Sequence, residues 1–125
     1  MSWDEFDFGI SFFCWYRILG NSDTVPTSDN ELDRAMKKAV DSGRYDSIAE
    51  FLHFSNTRTC LRCVELPSLE RTAINSQIIC YAPENYKSDR ILISQRVAER
   101  ILQRYDNVPD MKEFVSEVLT SLSQN

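Results

Sequence analysis

Glycine and histidine are scarce in this chain. Three glycines in 125 residues leave no glycine-rich loop to cradle a phosphate. The single histidine, His53, would have to serve any imidazole-based triad alone, and no serine lies in a glycine-flanked elbow. No apolar run approaches the roughly 18–20 residues that span a bilayer. There is no Asn-Gly pair of the kind that closes tight hairpins and no low-complexity tract. The N-terminus lacks the basic region and small-residue cleavage site of a signal peptide. The expectation is a cytoplasmic protein that is not an enzyme, has no cofactor and touches no membrane. Its four cysteines, Cys14, Cys60, Cys63 and Cys80, are then most simply reduced thiols.

Basic residues are missing from one region above all. Residues 1–33 carry seven acids against one base, Arg17, a net charge of −6, whereas residues 34–125 carry twelve acids and thirteen bases, a net +1. The excess negative charge of the chain thus belongs to its first quarter. Such a field repels nucleic acid and steers basic partners.

What the chain does have is concentrated in MSWDEFDFGISFFCWYRILG. Seven of the fourteen aromatic residues lie in these first twenty positions, interleaved with Asp4, Glu5 and Asp7. Ser2 and Glu5 form a capping box, and Gly20 sits where a helix stops. The reading is a helix over 3–19 whose later part is apolar almost all round and therefore buried against several neighbours. Asn21 to Thr27 is a loop by composition. Ser28 with Glu31 opens a second helix, whose stripe Leu32, Ala35, Met36, Ala39 and Val40 has the spacing of one buried face and which Gly43 ends. Ser47 with Glu50 opens a short third helix containing Ile48, Phe51 and Leu52.

The middle is less legible. Residues 55–67 fit a short helix, an extended piece or a loop. Ser68 caps a helix over 69–81, although the β-branched pair Ile78-Ile79 leaves a strand open there. Pro83 ends that element and 84–89 is a loop. Ser88 or Ser94 starts the next helix, with Val97, Ala98, Ile101, Leu102 and Tyr105 buried. Asn107-Val108-Pro109 is a turn. Asp110 and Glu113 then open a helix in which Met111, Phe114, Val115, Val118, Leu119 and Leu122 recur at 3-4-3-4-3 spacing. Together these make an all-α fold: a single compact domain, 1–125, of five or six short helices with an irregular middle segment.

Four features carry candidate chemistry. His53, Cys60, Cys63 and Cys80 have the residue types of a tetrahedral zinc site around one C-x-x-C; the alternative is one histidine and buried thiols. Leu61-Arg62-Cys63-Val64-Glu65 resembles the L-x-C-x-E peptide that viral proteins present to retinoblastoma-type pocket proteins, which implies an accessory protein capturing a regulator. Residues 42–51, within 31–54, resemble the interhelical turn of ribbon-helix-helix antitoxins. Those regulators read DNA with a basic strand, but the equivalent stretch here, Asp23 to Thr27, has no base and contains Pro26. Arg96, Arg100 and Arg104 line one helix face, as an anion stripe or as a solvated face pairing with Glu99; no aromatic is interleaved to stack a base. Nothing in the sequence pairs two carboxylates in a pocket.

On length, acidic balance, the clustering of rings with acids and the lack of a catalytic motif, the chain resembles by general type the immunity proteins of toxin–immunity modules, including those of bacterial contact-dependent growth inhibition. The resemblance implies a monomer that binds a cognate protein toxin, commonly a basic nuclease, and keeps it from its substrate. Acid patches would speed the encounter and exposed rings would anchor it. The candidate contacts are Asp4, Glu5 and Asp7, then Asp29, Glu31 and Asp33, then Tyr45, Asp46 and Glu50. For Glu5, Glu31 and Glu50 the competing role is helix capping.

Overall fold

A computed structural model describes residues 3–20, 22–58, 60–81 and 88–123. The first helix, α1 (Glu5–Leu19), is nucleated by its acids: Asp4 is the N-cap, Asp7 N donates to Asp4 Oδ1 at 2.9 Å, and Asp4 N donates back to Asp7 Oδ2 at 3.1 Å. The capping box therefore lies two residues later than Ser2 and Glu5 would place it, with Asp in both roles; Ser2 lies outside the described residues. At Gly20 the backbone turns extended (φ −86°, ψ 155°) and α1 ends; its N–H still bonds to the Tyr16 carbonyl at 2.9 Å, and a Cβ there would stand 2.8 Å from that oxygen.

The helix is buried nearly all round, as its apolarity implies. Phe8, Gly9, Ile10, Ser11, Phe12, Phe13, Cys14 and Tyr16 are all interior. It is packed by α4 (Leu66–Asn75), α5 (Gln95–Tyr105) and α6 (Met111–Ser123). Phe114 of α6 meets Phe8 and Phe12 with ring centroids 6.4 and 6.2 Å apart. On α2 (Glu31–Asp41), Leu32, Ala35, Met36 and Ala39 form the expected buried face against α6, and Val40 is partly covered. Gly43, at φ 77°, supplies the left-handed turn beyond α2. Of the two starts considered for α5, Ser94 is the cap, accepting from Val97 N at 3.2 Å. Ala98 and Leu102 are its buried residues, Ile101 and Tyr105 pack at the edge, and Val97 is 40% exposed.

Two of the expected capping boxes do not form. Ser28 lies in a short 3₁₀ turn (Ser28–Asn30), and the residue before α2 is Asn30, in the left-handed region with no side-chain cap bond. The third helix, α3 (Asp46–Phe51), begins one residue before Ser47, after Tyr45, and also has no side-chain cap. The motif alone does not make a cap; the flanking backbone must also turn so that the hydroxyl faces the free N–H groups.

The larger correction is to the all-α class. The chain is helix-rich, but it also forms two small antiparallel sheets. In one, β5 (Ser88–Ile91) lies between β1 (Thr24–Pro26) and β4 (Ile79–Tyr81), with Val25 and Tyr81 both opposite Asp89. In the other, β2 (Phe54–Asn56) pairs with β3 (Leu61–Cys63), Phe54 opposite Cys63. Strands of three or four residues are too short to establish a period-two pattern, and β1 finds its partner β5 far along the chain. Pro26, read as a loop residue, sits on an edge strand, where its missing donor costs no ladder bond. Helix α4 stops at Asn75, so Ile79 opens β4 with Ile78 just before it, and Ser68 stands inside α4 rather than at its cap. Of the loop expected at 84–89, Asp89 belongs to β5; residues 84–87 lie outside the described residues, as does Pro83.

Candidate functional site

The N-terminal end of α1 gathers acids and rings. Asp4 is exposed, Asp7 and Glu5 are partly so, and Phe6 stands 45% exposed. The C-terminal end of α5 lies alongside: Phe6 and Tyr105 meet edge-to-face at 5.8 Å, and Asn107 Nδ2 donates to Asp7 Oδ2 at 3.3 Å. Exposed Asp106 is next to this contact and accepts from Trp15 Nε1 at 3.2 Å. Helix α3 closes the same end, its Phe51 packing on Trp3 at 5.3 Å and Phe8 at 4.9 Å, which brings exposed Glu50 there. Among the described residues the ion pairs are Lys37–Asp41, Arg44–Glu117 and His53–Glu65, and none of them involves Asp4, Asp7, Glu50 or Asp106. Glu5 is turned inward instead, accepting from Ser68 Oγ on α4.

The remaining sequence-derived contacts do not join this face. Glu31 lies beside Tyr16, where burial first, and then the charge of Glu31, push the phenol up to about 12. At about 1.5 Å rise per residue, Tyr16 is about 16 Å along α1 from Glu5. Exposed Asp29 precedes α2 on that side. Asp33 is interior, 8% exposed, and its Oδ2 accepts from Cys63 N at 2.7 Å. Tyr45, 7% exposed, packs on Phe114 at 5.6 Å and donates to the Glu113 carbonyl at 3.2 Å. Both side chains are thus almost wholly buried. Asp46 is exposed at the start of α3. The nine candidates thus divide into Asp4, Asp7 and Glu50 at the surface, Glu5 beside them but turned inward, Asp29 and Glu31 near the other end of α1, Asp46 exposed one turn before Glu50 on α3, and Asp33 and Tyr45 in the interior.

A carboxyl pair missed in the sequence lies between α4 and the three-stranded sheet. Glu70 of α4 and Asp89 of β5 are near enough for each carboxyl to alter the other's proton affinity. Asp89 is 2% exposed, and its Oδ2 has no hydrogen-bond partner among the described residues. Burial first, then the neighbouring Asp89 carboxyl, then the charge of Asp33, push the Glu70 carboxyl up to about 8. Burial also raises Asp89. The available signal was strand alternation: with Ser88–Ile91 as a strand, Asp89 faces inward with Ile91. Reading Asp89 as a loop residue hid it.

The four residues considered for zinc are not brought together; among the described residues no three His, Cys, Asp or Glu side chains are placed to hold a metal ion. His53 Nδ1 pairs with Glu65 Oε2 at 2.7 Å, and Cys63 is buried. Leu61–Cys63 is strand β3, and Glu65 is tied to His53, so this segment is part of a folded hairpin and its turn rather than a free peptide. The strand preceding α2 pairs with β5 of the same chain, whereas a ribbon-helix-helix strand pairs with a second copy. Arg96, Arg100 and Arg104 are exposed on α5.

Shallow grooves run over α6. One of about 480 Å³ is lined by Trp15, Ile18, Leu102 and Asp106, with Lys112 Nζ 5.5 Å from the centre of the Trp15 ring. Another, of about 420 Å³, is lined by Leu19, Tyr45 and Glu117. Glu70 and Asp89 line neither. No helix among the described residues is long and apolar enough to cross a membrane. Compared with protein-family models, curated proteins and solved structures, the chain has no match in any of the three.

Proposed function

We propose that this chain is a binding protein of the immunity type, which occupies a basic protein toxin, a nuclease domain, in the cytoplasm and catalyses nothing itself. The observation that carries the reading is the end of α1. Asp4, Asp7, Asp106 and Glu50 stand there without a basic partner among the described residues, beside the 45% exposed ring of Phe6. Unpaired surface carboxylates accelerate encounter with a basic cleft, and an exposed ring supported by Tyr105 supplies an anchor that loses little freedom on binding. The contact set is accordingly narrower than the sequence implies. It keeps Asp4, Asp7 and Glu50, adds Phe6 and Asp106, and leaves out Glu5, Asp29, Glu31, Asp33, Tyr45 and Asp46.

The test is co-expression with the toxin domain encoded beside this chain, followed by binding of the purified pair. Protection of the cells, with an association rate that falls as salt rises, is expected. Asp106→Lys should slow association, and Phe6→Ala should speed dissociation; Asp106 is the C-cap of α5 but serves there through its backbone N–H, which donates to the Leu102 carbonyl. Absence of protection, or binding indifferent to both salt and Asp106→Lys, would overturn the proposal.

A further inference from the structure

We propose that the groove between α1, α5 and α6 is a subsite for an arginine side chain of the basic partner, with Lys112 standing in it as a displaceable substitute. The inference rests on the reading above that the partner is basic, and it names the group that partner inserts. The floor of the groove is apolar: Trp15 and Ile18 of α1 with the buried Leu102 of α5. Its rim carries two exposed carboxylates of α5, Glu99 and Asp106. Seven residues apart, they fall on one face of the helix, about 10 Å from each other along its axis. Among the described residues no ion pair holds either one. The volume, about 480 Å³, lies within the roughly 300–1,000 Å³ of ligand-sized clefts.

The Trp15 ring is already set for a cation. Its Nε1 donates to Asp106 Oδ1 at 3.2 Å, which ties the indole to the end of α5. Lys112 Nζ lies over the ring, 5.5 Å from its centre, within reach of the π-face attraction. Its own helix does not favour that ammonium. Lys112 is the second residue of α6, where the helix dipole presents its positive end. No acid among the described residues pairs with it either. The Trp15 face and the negative field of Glu99 and Asp106 are what attract it. The groove is thus a cation site whose present occupant is an exposed side chain on a flexible stem, free to swing into water.

An arginine suits the groove better than the resident ammonium. A guanidinium is planar and weakly hydrated, and it can stack on an indole while its edge reaches a carboxylate. Trp15 offers the face, and Glu99 and Asp106 offer the acceptors. Asp106 also belongs to the acidic end of α1, so the groove continues that surface. Arg96, Arg100 and Arg104 occupy another strip of α5 and are not among the residues that line it.

The probe is N-acetyl-arginine amide, added to the intact protein. In NMR spectra the Trp15 indole N–H should shift saturably with millimolar affinity, while that of Trp3, 7% exposed, stays in place. The citrulline analogue, similar in shape but uncharged, should move neither. Lys112→Ala removes the resident cation and should tighten probe binding about two- to fivefold, the worth of an exposed cation–π contact; Glu99→Gln should weaken it. If Lys112→Ala does not fold, Lys112→Met, which keeps the stem and loses the charge, replaces it. A Trp15 indole that responds equally to citrulline, or a Lys112 variant that binds the probe no more tightly than the parent, would overturn the subsite. Probe binding as described in a chain that gives cells no protection would sink the immunity reading and spare the subsite. Protection by a chain whose Trp15 indole ignores the probe would do the reverse.

Discussion

Asp33 and Cys63 are joined by a 2.7 Å hydrogen bond from the backbone N–H of the strand to the buried carboxylate of the helix. The bond ties the β2–β3 hairpin to α2, and Asp33 also adds to the negative charge near Glu70. An acid that looked like a surface contact in a charge count is therefore a structural anchor.

If so, removing the acceptor should be felt in the fold. Asp33→Ala leaves a buried N–H unpaired and should cost about 1–3 kcal/mol. Equilibrium unfolding in urea at neutral pH measures it. Asp33→Asn, which keeps an acceptor oxygen, should cost less. A cost for Asp33→Ala within the scatter of surface variants would mean that the bond contributes nothing.

Two phenylalanines should behave oppositely. Phe114 is fully buried among Phe8, Phe12 and Tyr45, so Phe114→Ala should cost about 3–5 kcal/mol. Phe6 is 45% exposed and touches Tyr105 at the surface, so Phe6→Ala should change stability by only about 0.5 kcal/mol. Denaturant midpoints of the two variants, compared at equal slope, decide this. A large loss for Phe6→Ala would make its ring part of the core and remove it from the proposed contact.

The thiols should divide into two classes. Burial pushes Cys14 and Cys63 up to about 12, so at pH 8 almost none of either is thiolate, the form that is alkylated. Cys60 and Cys80 are only partly covered. In the native protein iodoacetamide should modify Cys60 and Cys80 first, and denaturant should release all four, as peptide mapping by mass spectrometry would record. Rapid native labelling of Cys14 would contradict the packing of α1.

Much of the helical frame was readable from spacing. The stripe of α2, the 3-4-3-4-3 run of α6 and the all-round apolarity of α1 each dictate which faces are buried, because a period of 3.6 is a property of consecutive residues. The glycine stop at Gly20 and the serine start at Ser94 are local in the same sense. The strands were not readable, since β1 and β5 are paired across more than half the chain and each is shorter than a detectable alternation. The carboxyl pair was missed for a related reason: Glu70 and Asp89 meet only once α4 has packed and β5 has been placed.

The candidate face divides along the same line. The sequence by itself determined that the negative charge and half of the rings lie in the first quarter of the chain, because composition along a chain is independent of how it folds. Only the tertiary structure decided which of those acids reach solvent together. Asp4 and Asp7 cap a helix end that α5 joins with Asp106, while Asp33 was drawn inward by an unpaired backbone N–H and Glu5 by Ser68. Whether a carboxylate becomes surface charge or interior anchor depends on what lies opposite it after packing, and residues distant in sequence supply that.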